Sequence, residues 1–264
     1  MQKIQEIKNL FAETKKEQWN ALFSQYETDE RAGVQKLLAQ HRRKLQAYEK
    51  EQERLENMLE FERKYGKDFT CICGIDEVGR GPFAGPVVAG AVVLPAGLKI
   101  QGLNDSKQVS PGRREELFEE IREKAVSVGI GMSSPARIDE INILQATYEA
   151  MAHAVQDLDV VPDLLLNDAV TIPQIPIRQI GIVKGDARSL SIAAASIMAK
   201  VTRDRLMVEY AELYPEYGFE SNKGYGSQTH RDALRKYGPC PIHRQSFIHN
   251  YVKQEAYDYE KLRT

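Results

Sequence analysis

Not one of the chain's 11 prolines lies before residue 70, and of its 18 glycines only Gly33 and Gly66 do. Proline removes an N–H and fixes φ, and glycine loses the most backbone entropy on ordering, so these two residues punctuate helices. A stretch of 70 residues free of proline, in a chain of 264, therefore reads as helix, and the remainder as a region of many turns. Charge divides the same way, with 27 of the first 70 residues charged against 47 of the other 194. The division expected is a helical N-terminal extension over 1–70 and an α/β domain with C-terminal helices over 71–264. Within the extension Val34, Leu38, His41, Leu45, Tyr48, Gln52, Leu55 and Leu59 follow alternating steps of four and three. That spacing suits the seam of a helical hairpin or short coiled coil, with a single exposed helix as the remaining option. His41-Arg42-Arg43-Lys44 offers cations to a phosphate, though on so charged a helix a solvated face is the plainer reading.

From Cys71 the pattern is mixed. Cys71 to Ile75 and the continuously apolar Val87 to Leu94 read as buried strands. Ser110-Pro111 opens a helix running through Arg113 to Lys124, and Ala136 to Leu158 gives a longer one. Asp163 to Asn167 and Ile180 to Val183 are short strands, Ser189 to Tyr214 a long helix, and Ser227 to Thr264 further helices broken at Gly238-Pro239 and Pro241. Helices alternating with strands make an α/β sheet.

With 42% hydrophobic residues the chain can bury a core, and a net charge of −2 gives no field that would by itself attract nucleic acid. There is no apolar run of membrane-spanning length and no signal-peptide core behind Met1, and three cysteines suit a reducing compartment. A cytoplasmic protein, off the membrane and monomeric, is the expectation.

Three acidic strand exits stand out: Asp76-Glu77 after the first strand, Asp168 after Leu164-Leu165-Leu166, and Asp186 beyond Ile180 to Val183. Strand ends are where sites assemble in open α/β sheets, and clustered carboxylates suit Mg²⁺ or Mn²⁺. Each acid taken singly is equally at home as a cap or turn residue. Gly79-Arg80-Gly81 lets backbone N–H groups approach a phosphate or a sugar hydroxyl. With Ala84 it also imitates a dinucleotide fingerprint, but Pro82, Gly85 and Pro86 oppose the helix that must follow and two acids would repel a pyrophosphate. Lys107, Lys184, Arg188, Lys200 and Lys223 are candidate phosphate contacts whose value depends on their meeting in space. Cys71 and Cys73 with Cys240 and His243 supply zinc-type ligands, but the C-x-C spacing suits core thiols better.

Taken together, Gly74-Ile75-Asp76-Glu77-Val78-Gly79-Arg80-Gly81-Pro82, Asp105-Ser106-Lys107, Lys184-Gly185-Asp186, Ser191 to Val201, Arg203-Asp204, Gly224-Tyr225-Gly226 and His243-Arg244-Gln245-Ser246-Phe247 resemble the ribonuclease HII family in order and spacing. Two positions depart from its usual pattern: Ala169 after Asp168 where glycine is common, and Ser227 where threonine is. The resemblance implies a ribonuclease H-like fold with a mixed central sheet flanked by helices. It implies cleavage 5′ of ribonucleotides embedded in duplex DNA, and of the RNA in RNA–DNA hybrids, leaving 3′-hydroxyl and 5′-phosphate ends. It also implies metal binding by Asp76, Glu77, Asp168 and Asp186; hydrolysis assisted by two Mg²⁺ or Mn²⁺ ions is the mechanism we expect there, with Asp76 our choice for the carboxylate shared between them. Gly79, Arg80 and Gly81 carry over as the element sensing the 2′-hydroxyl, and Tyr225 as the ring on the sugar at the junction to DNA. Lys107, Lys184 and Arg188 are expected as further substrate contacts. The sibling ribonuclease HIII, a non-catalytic binding protein of the same fold, and a helical adaptor for a replication or repair partner through 1–70 are the competing readings.

Overall fold

The computed structural model describes residues 2–173 and 175–252. The chain forms two compact units, Met1–Asn57 and Met58–Thr264.

The first unit holds α1 (Ile4–Glu13), α2 (Trp19–Tyr26) and α3 (Ala32–Asn57). The first half of the expected seam is buried, and what covers it is a pair of short helices of the same unit. Ile7 and Phe11 of α1 and Trp19, Phe23 and Tyr26 of α2 pack with Val34, Leu37, Leu38 and Leu45 of α3. The polar seam position His41 fits because its ring lies 4.3 Å from Phe11 and 5.0 Å from Trp19, with Nδ1 2.9 Å from the Leu37 carbonyl. The basic run after it therefore splits, His41 being buried and Arg42, Arg43 and Lys44 exposed.

By packing alone the two compact units part after Asn57, because residues between there and Thr70 pack on the sheet of the second unit. Phe61, Tyr65 and Phe69 around α4 (Glu60–Tyr65) lie against Leu164, Leu166, Ile182 and Ile192. Glu62 Oε1 accepts from Ser189 Oγ at 2.6 Å and Ser191 N–H at 3.0 Å.

The second unit is built on β1 (Ile72–Val78), β2 (Val87–Val93), β3 (Ser127–Ser133), β4 (Leu164–Asp168) and β5 (Arg178–Ile182), in the order β3-β2-β1-β4-β5. β1–β2 and β2–β3 are antiparallel, β1–β4 and β4–β5 parallel, so the sheet is mixed as expected. Its helices include α5 (Pro111–Lys124), α6 (Pro135–Gln156) and α7 (Leu190–Leu213). Strand parity separates the two faces. Cys73, Ile75, Ala89 and Ala91 join Ile138, Ala146 and Ala150 of α6 in one core. Gly74 and Gly90 lie under α7, where an added Cβ would stand 2.3 Å from Ile192 N and 2.5 Å from Ala195 O.

β3 has no counterpart in the sequence reading, since Gly129 and Gly131 look like turn residues. They are absent side chains instead: a Cβ would meet Ala154 O at 2.0 Å and Ala150 O at 1.9 Å, so α6 rests directly on the strand. α6 is also broken where the pattern reads as continuous. Asn142 takes φ 69°, and its Oδ1 accepts from Leu144 and Gln145 N–H, capping the second half. Short helices α8 (Phe219–Asn222), α9 (Gln228–Tyr237) and α10 (Gln245–Ile248) follow α7. The part of the expected C-terminal helices beyond residue 252 lies outside the described residues. Among these no helix is long and apolar enough to cross a membrane.

Candidate active site

The parity that puts Cys73 and Ile75 on the α6 face puts Asp76 on the α7 face, where it is 7% exposed. β4 runs parallel to β1 with Ile75 paired to Asn167, so Asp168 ends its strand beside Asp76. β5 delivers the chain into the 3-10 turn Gly185–Ala187, where Gly185 N–H donates to Asp168 Oδ1 at 2.7 Å and Asp186 is 9% exposed. The three acidic strand exits thus come to one end of the sheet. The turn after Asp168 survives without glycine: Ala169 takes φ 57° and donates its N–H to Ile182 O at 3.1 Å.

The electrostatics show a cluster short of positive charge. Burial, then the charge of Glu77, pushes the Asp76 carboxyl well above its ordinary range, with Asp168 adding to it. Burial raises Glu77 as well, against the lowering effect of Arg80, whose Nη1 lies 3.2 Å from Glu77 Oε1. Glu77 Oε2 is buried with no hydrogen-bond partner. Asp186 is raised by burial and by the charges of Asp105 and Asp168. Among the described residues no three His, Cys, Asp or Glu side chains are placed close enough together to hold a metal ion as they stand. The donor set is nonetheless all hard oxygen, and an orphaned carboxylate oxygen beside repelling neighbours fits a divalent cation.

Of the expected basic contacts, the structure brings Lys107 in. Burial opposes its charge, but Asp105, Asp76, Asp186 and Asp168 together raise its pKa. No hydrogen bond or ion pair joins Lys184 or Arg188 to the four acids among the described residues, and the Arg188 guanidinium lies 4.9 Å from the Phe61 ring centroid. Lys200 is paired with Asp204 at 2.7 Å, and Lys223 gives its carbonyl to Arg203. Cys73 lies in the core under α6 and Cys240 in a separate core with Tyr217 and Phe219, which rules out the four-ligand zinc arrangement.

No helix follows the Gly79-Arg80-Gly81 loop; it leads into β2. Two fully buried arginines fasten it, neither singled out for a role in the sequence because arginine ordinarily reads as surface. Arg244 donates to Gly79 O at 2.6 Å, Arg80 O at 3.0 Å and Gly85 O at 2.9 Å and 2.8 Å. Arg203 donates to Pro86 O at 3.0 Å, Ala84 O at 3.1 Å and Lys223 O at 2.9 Å. Burial brings the Arg244 pKa down to about 9. With these carbonyls turned inward, the N–H groups of Arg80 and Gly81 have no partner among the described residues. Gly79 has φ 90°, and a Cβ there would stand 2.3 Å from Arg203 Nε.

Tyr225 is brought to the same loop, its Cε1 being 3.9 Å from where a Cβ on Gly81 would stand, and it is 44% exposed. A buried relay holds its backbone. Cys240 N–H donates to His243 Nδ1 at 2.9 Å, so the proton of His243 is assigned to Nε2, which lies 2.9 Å from His230 Nε2. His230 therefore carries its proton on Nδ1 and donates it to Tyr225 O at 2.9 Å. Both rings are neutral. Burial lowers the His230 pKa, and burial plus His230 lowers that of His243 to about 3.

The chain matches the family model for ribonuclease HII over residues 73–250 and that for the ribonuclease HII N-terminal domain over residues 3–66. It is 61% identical over 225 residues to a ribonuclease HII of Lachnoclostridium phytofermentans, covering 85% of this chain and 88% of that one. Among solved structures it is similar to the ribonuclease H2 of Pyrococcus horikoshii OT3, with TM-score 0.56 and 31% identity over 67% of this chain and 93% of that one. The archaeal RNase HII in a PCNA complex from Archaeoglobus fulgidus matches with TM-score 0.52 and 27% identity, over 66% and 93% of the two chains. Both family models are of the HII type, which sets aside the HIII reading. With most of its length matched and the expected mixed sheet in place, the chain belongs to the ribonuclease HII family and is a metal-dependent endoribonuclease of RNA–DNA hybrids and of ribonucleotides in DNA.

Proposed function

We propose that the chain nicks duplex DNA on the 5′ side of an embedded ribonucleotide, leaving 3′-hydroxyl and 5′-phosphate ends, with Asp76, Glu77, Asp168 and Asp186 as the residues that hold Mg²⁺ or Mn²⁺. The observation that carries this reading is the pairing of an acidic, cation-deficient strand end with a loop whose N–H groups are left free. A divalent metal at these acids would lower the pKa of an attacking water and stabilise charge on the leaving oxygen. The protein's own part is positioning. Gly79 and Gly81 present no side chain, so the backbone at 79–81 can reach a 2′-hydroxyl, the one group that separates a ribonucleotide from its neighbours whatever its base. Arg244 keeps the carbonyls of Gly79 and Arg80 turned away from that hydroxyl, and Arg203 holds those of Ala84 and Pro86 behind the loop. Tyr225, beside Gly81, offers its ring to the adjoining deoxyribose, and Lys107 brings a cation to the phosphate while tempering the acids. Lys184 and Arg188 remain candidate outer contacts with the backbone.

The test is cleavage of a labelled duplex with one ribonucleotide, beside a uniform RNA–DNA hybrid, with Mg²⁺, Mn²⁺ or chelator. Nicking immediately 5′ of the single ribonucleotide, abolished by chelator, supports the reading. Cleavage of the hybrid alone contradicts it. A replication-protein partner is part of the same proposal, supported by the archaeal complex with PCNA. Co-purification of the full chain with such a partner checks it.

A further inference from the structure

The guanidinium of Arg244 sets the backbone of the Gly79-Arg80-Gly81 loop, and its planar fork can do so in one geometry only if the backbone of residue 244 is itself fixed. The side chain is fully buried, and its bonds among the described residues all go to carbonyl oxygens. Burial first, and then the charge of Arg203, works against its positive charge, whereas the charge of Asp139 supports it. Asp139 comes from α6, in the part that precedes the break at Asn142.

The Asp139 carboxylate makes no hydrogen bond or ion pair with the guanidinium among the described residues. It takes the two residues that follow Arg244 in the chain. Oδ2 accepts from Gln245 N–H at 2.7 Å, and Oδ1 from Ser246 N–H at 2.9 Å and from the Ser246 hydroxyl. α10 begins at Gln245 without a side-chain cap of its own, so another element supplies the acceptor that its first N–H groups need. On the other side, Arg244 N–H donates to Phe83 O at 2.8 Å. Residue 244 is therefore held from both directions. The Phe247 ring, 5.2 Å from the guanidinium carbon, also packs on the α6 core that contains Ile138. Three donors meet one carboxylate, which suits them because an ionised carboxyl only accepts; an Asn amide would keep one acceptor oxygen and turn an NH₂ toward a donor.

We propose that Asp139 is a positioning residue for ribonucleotide recognition, which through α10 and Arg244 sets the place of the Gly79-Arg80-Gly81 backbone against the 2′-hydroxyl. The proposal rests on the reading of that loop as the hydroxyl sensor. Asp139 makes no hydrogen bond or ion pair with Asp76, Glu77, Asp168 or Asp186 among the described residues. Its loss should cost selection of the sugar and not assembly of the metal site.

The experiment uses the full chain with Mg²⁺. KM is measured for a labelled duplex carrying one ribonucleotide, and an inhibition constant for an all-DNA duplex of the same sequence added as competitor; the gap between the two reports what the hydroxyl contributes. Asp139→Asn should raise KM about fivefold to tenfold, the worth of about one hydrogen bond, and leave the inhibition constant within about twofold. A merely structural role would reduce the folded fraction, lowering the apparent kcat and leaving KM alone. Asp163→Asn is the control, because Asp163 likewise accepts two N–H groups and a hydroxyl, from Thr70 and Cys71 at 2.8 to 3.0 Å, ahead of the strand that Asp168 ends. It should leave KM within about twofold of the unaltered chain. Ser246→Ala, at an exposed position, removes one of the three donors and serves if Asp139→Asn does not fold; it should raise KM about twofold, and an unchanged KM there overturns the proposal. An unchanged KM in folded Asp139→Asn, or an equal rise in Asp163→Asn, overturns it as well. An unaltered chain whose KM equals the inhibition constant of all-DNA duplex would overturn the hydroxyl-sensing reading and the proposal with it, whereas a gap present in the unaltered chain and intact in Asp139→Asn overturns the proposal alone.

Discussion

Lowering the pH from 7 to 5 tests the neutral relay behind Tyr225. His243 is 2% exposed, and its pKa in the folded chain is about 3, against about 6.5 for an unfolded histidine. Between those values the unfolded chain binds a proton that the folded chain refuses, so stability falls as the pH drops below about 6.5. Taking an unfolded pKa of about 6.5 and a negligible folded uptake at pH 5, the loss between pH 7 and 5 from this one ring is about 2 kcal/mol. Asp76, Glu77 and Asp186 work in the opposite sense, because their raised pKa values let the folded chain take up protons first as the pH falls. The His243 contribution is therefore read as a difference. Urea unfolding of the metal-free protein and of His243→Gln at both pH values should show the unaltered chain losing about 2 kcal/mol more than the variant. A difference below about 0.5 kcal/mol would mean that the buried ring accepts a proton in the fold, and the tautomer assignment running through His230 to Tyr225 would fall.

Three further outcomes follow from the same geometry. Asp186→Asn should cut nicking by more than about a hundredfold, the cost of losing part of a metal's several kcal/mol, while leaving urea stability unchanged or slightly higher because repulsion from Asp105 and Asp168 is relieved. Tyr225→Ala should slow cleavage at a single-ribonucleotide junction about five- to tenfold, an aromatic contact of about 1 kcal/mol, with a smaller effect on a uniform hybrid; steady-state rates on the two substrates compare them. Ala169→Gly should stabilise the fold by up to about 1 kcal/mol in denaturant titration, since the left-handed backbone costs an L-residue about 1–2 kcal/mol and glycine's unfolded entropy returns only part of it.

The acids were legible in the sequence because each ends an apolar run, and strand ends in an α/β sheet gather at one edge. Their convergence was not, since it depends on β1 and β4 being parallel neighbours. β3 is hidden in the sequence because the close packing of α6 demands glycines, and glycines at alternate positions resemble a turn. The seam of α3 was visible, but its partners were hidden: Phe11 and Trp19 sit on short helices whose apolar residues are too few to show a period. Proline and charge mark a boundary near Thr70, while packing separates the compact units after Asn57, with Phe61, Tyr65 and Phe69 serving the sheet. Arg203 and Arg244 lay within motif strings without an evident task, because a cation paired with carbonyl oxygens leaves no complementary acid to find.

The most direct test of the account is Mn²⁺ binding by calorimetry to the full chain and to Asp76→Asn and Glu77→Gln, with nicking of a single-ribonucleotide duplex measured on the same preparations. The account predicts that the unaltered chain binds the ion, that each substitution weakens binding by at least tenfold, and that nicking falls with it. Variants that keep both the affinity and the nicking of the unaltered chain would contradict the placement of the metal at this end of the sheet.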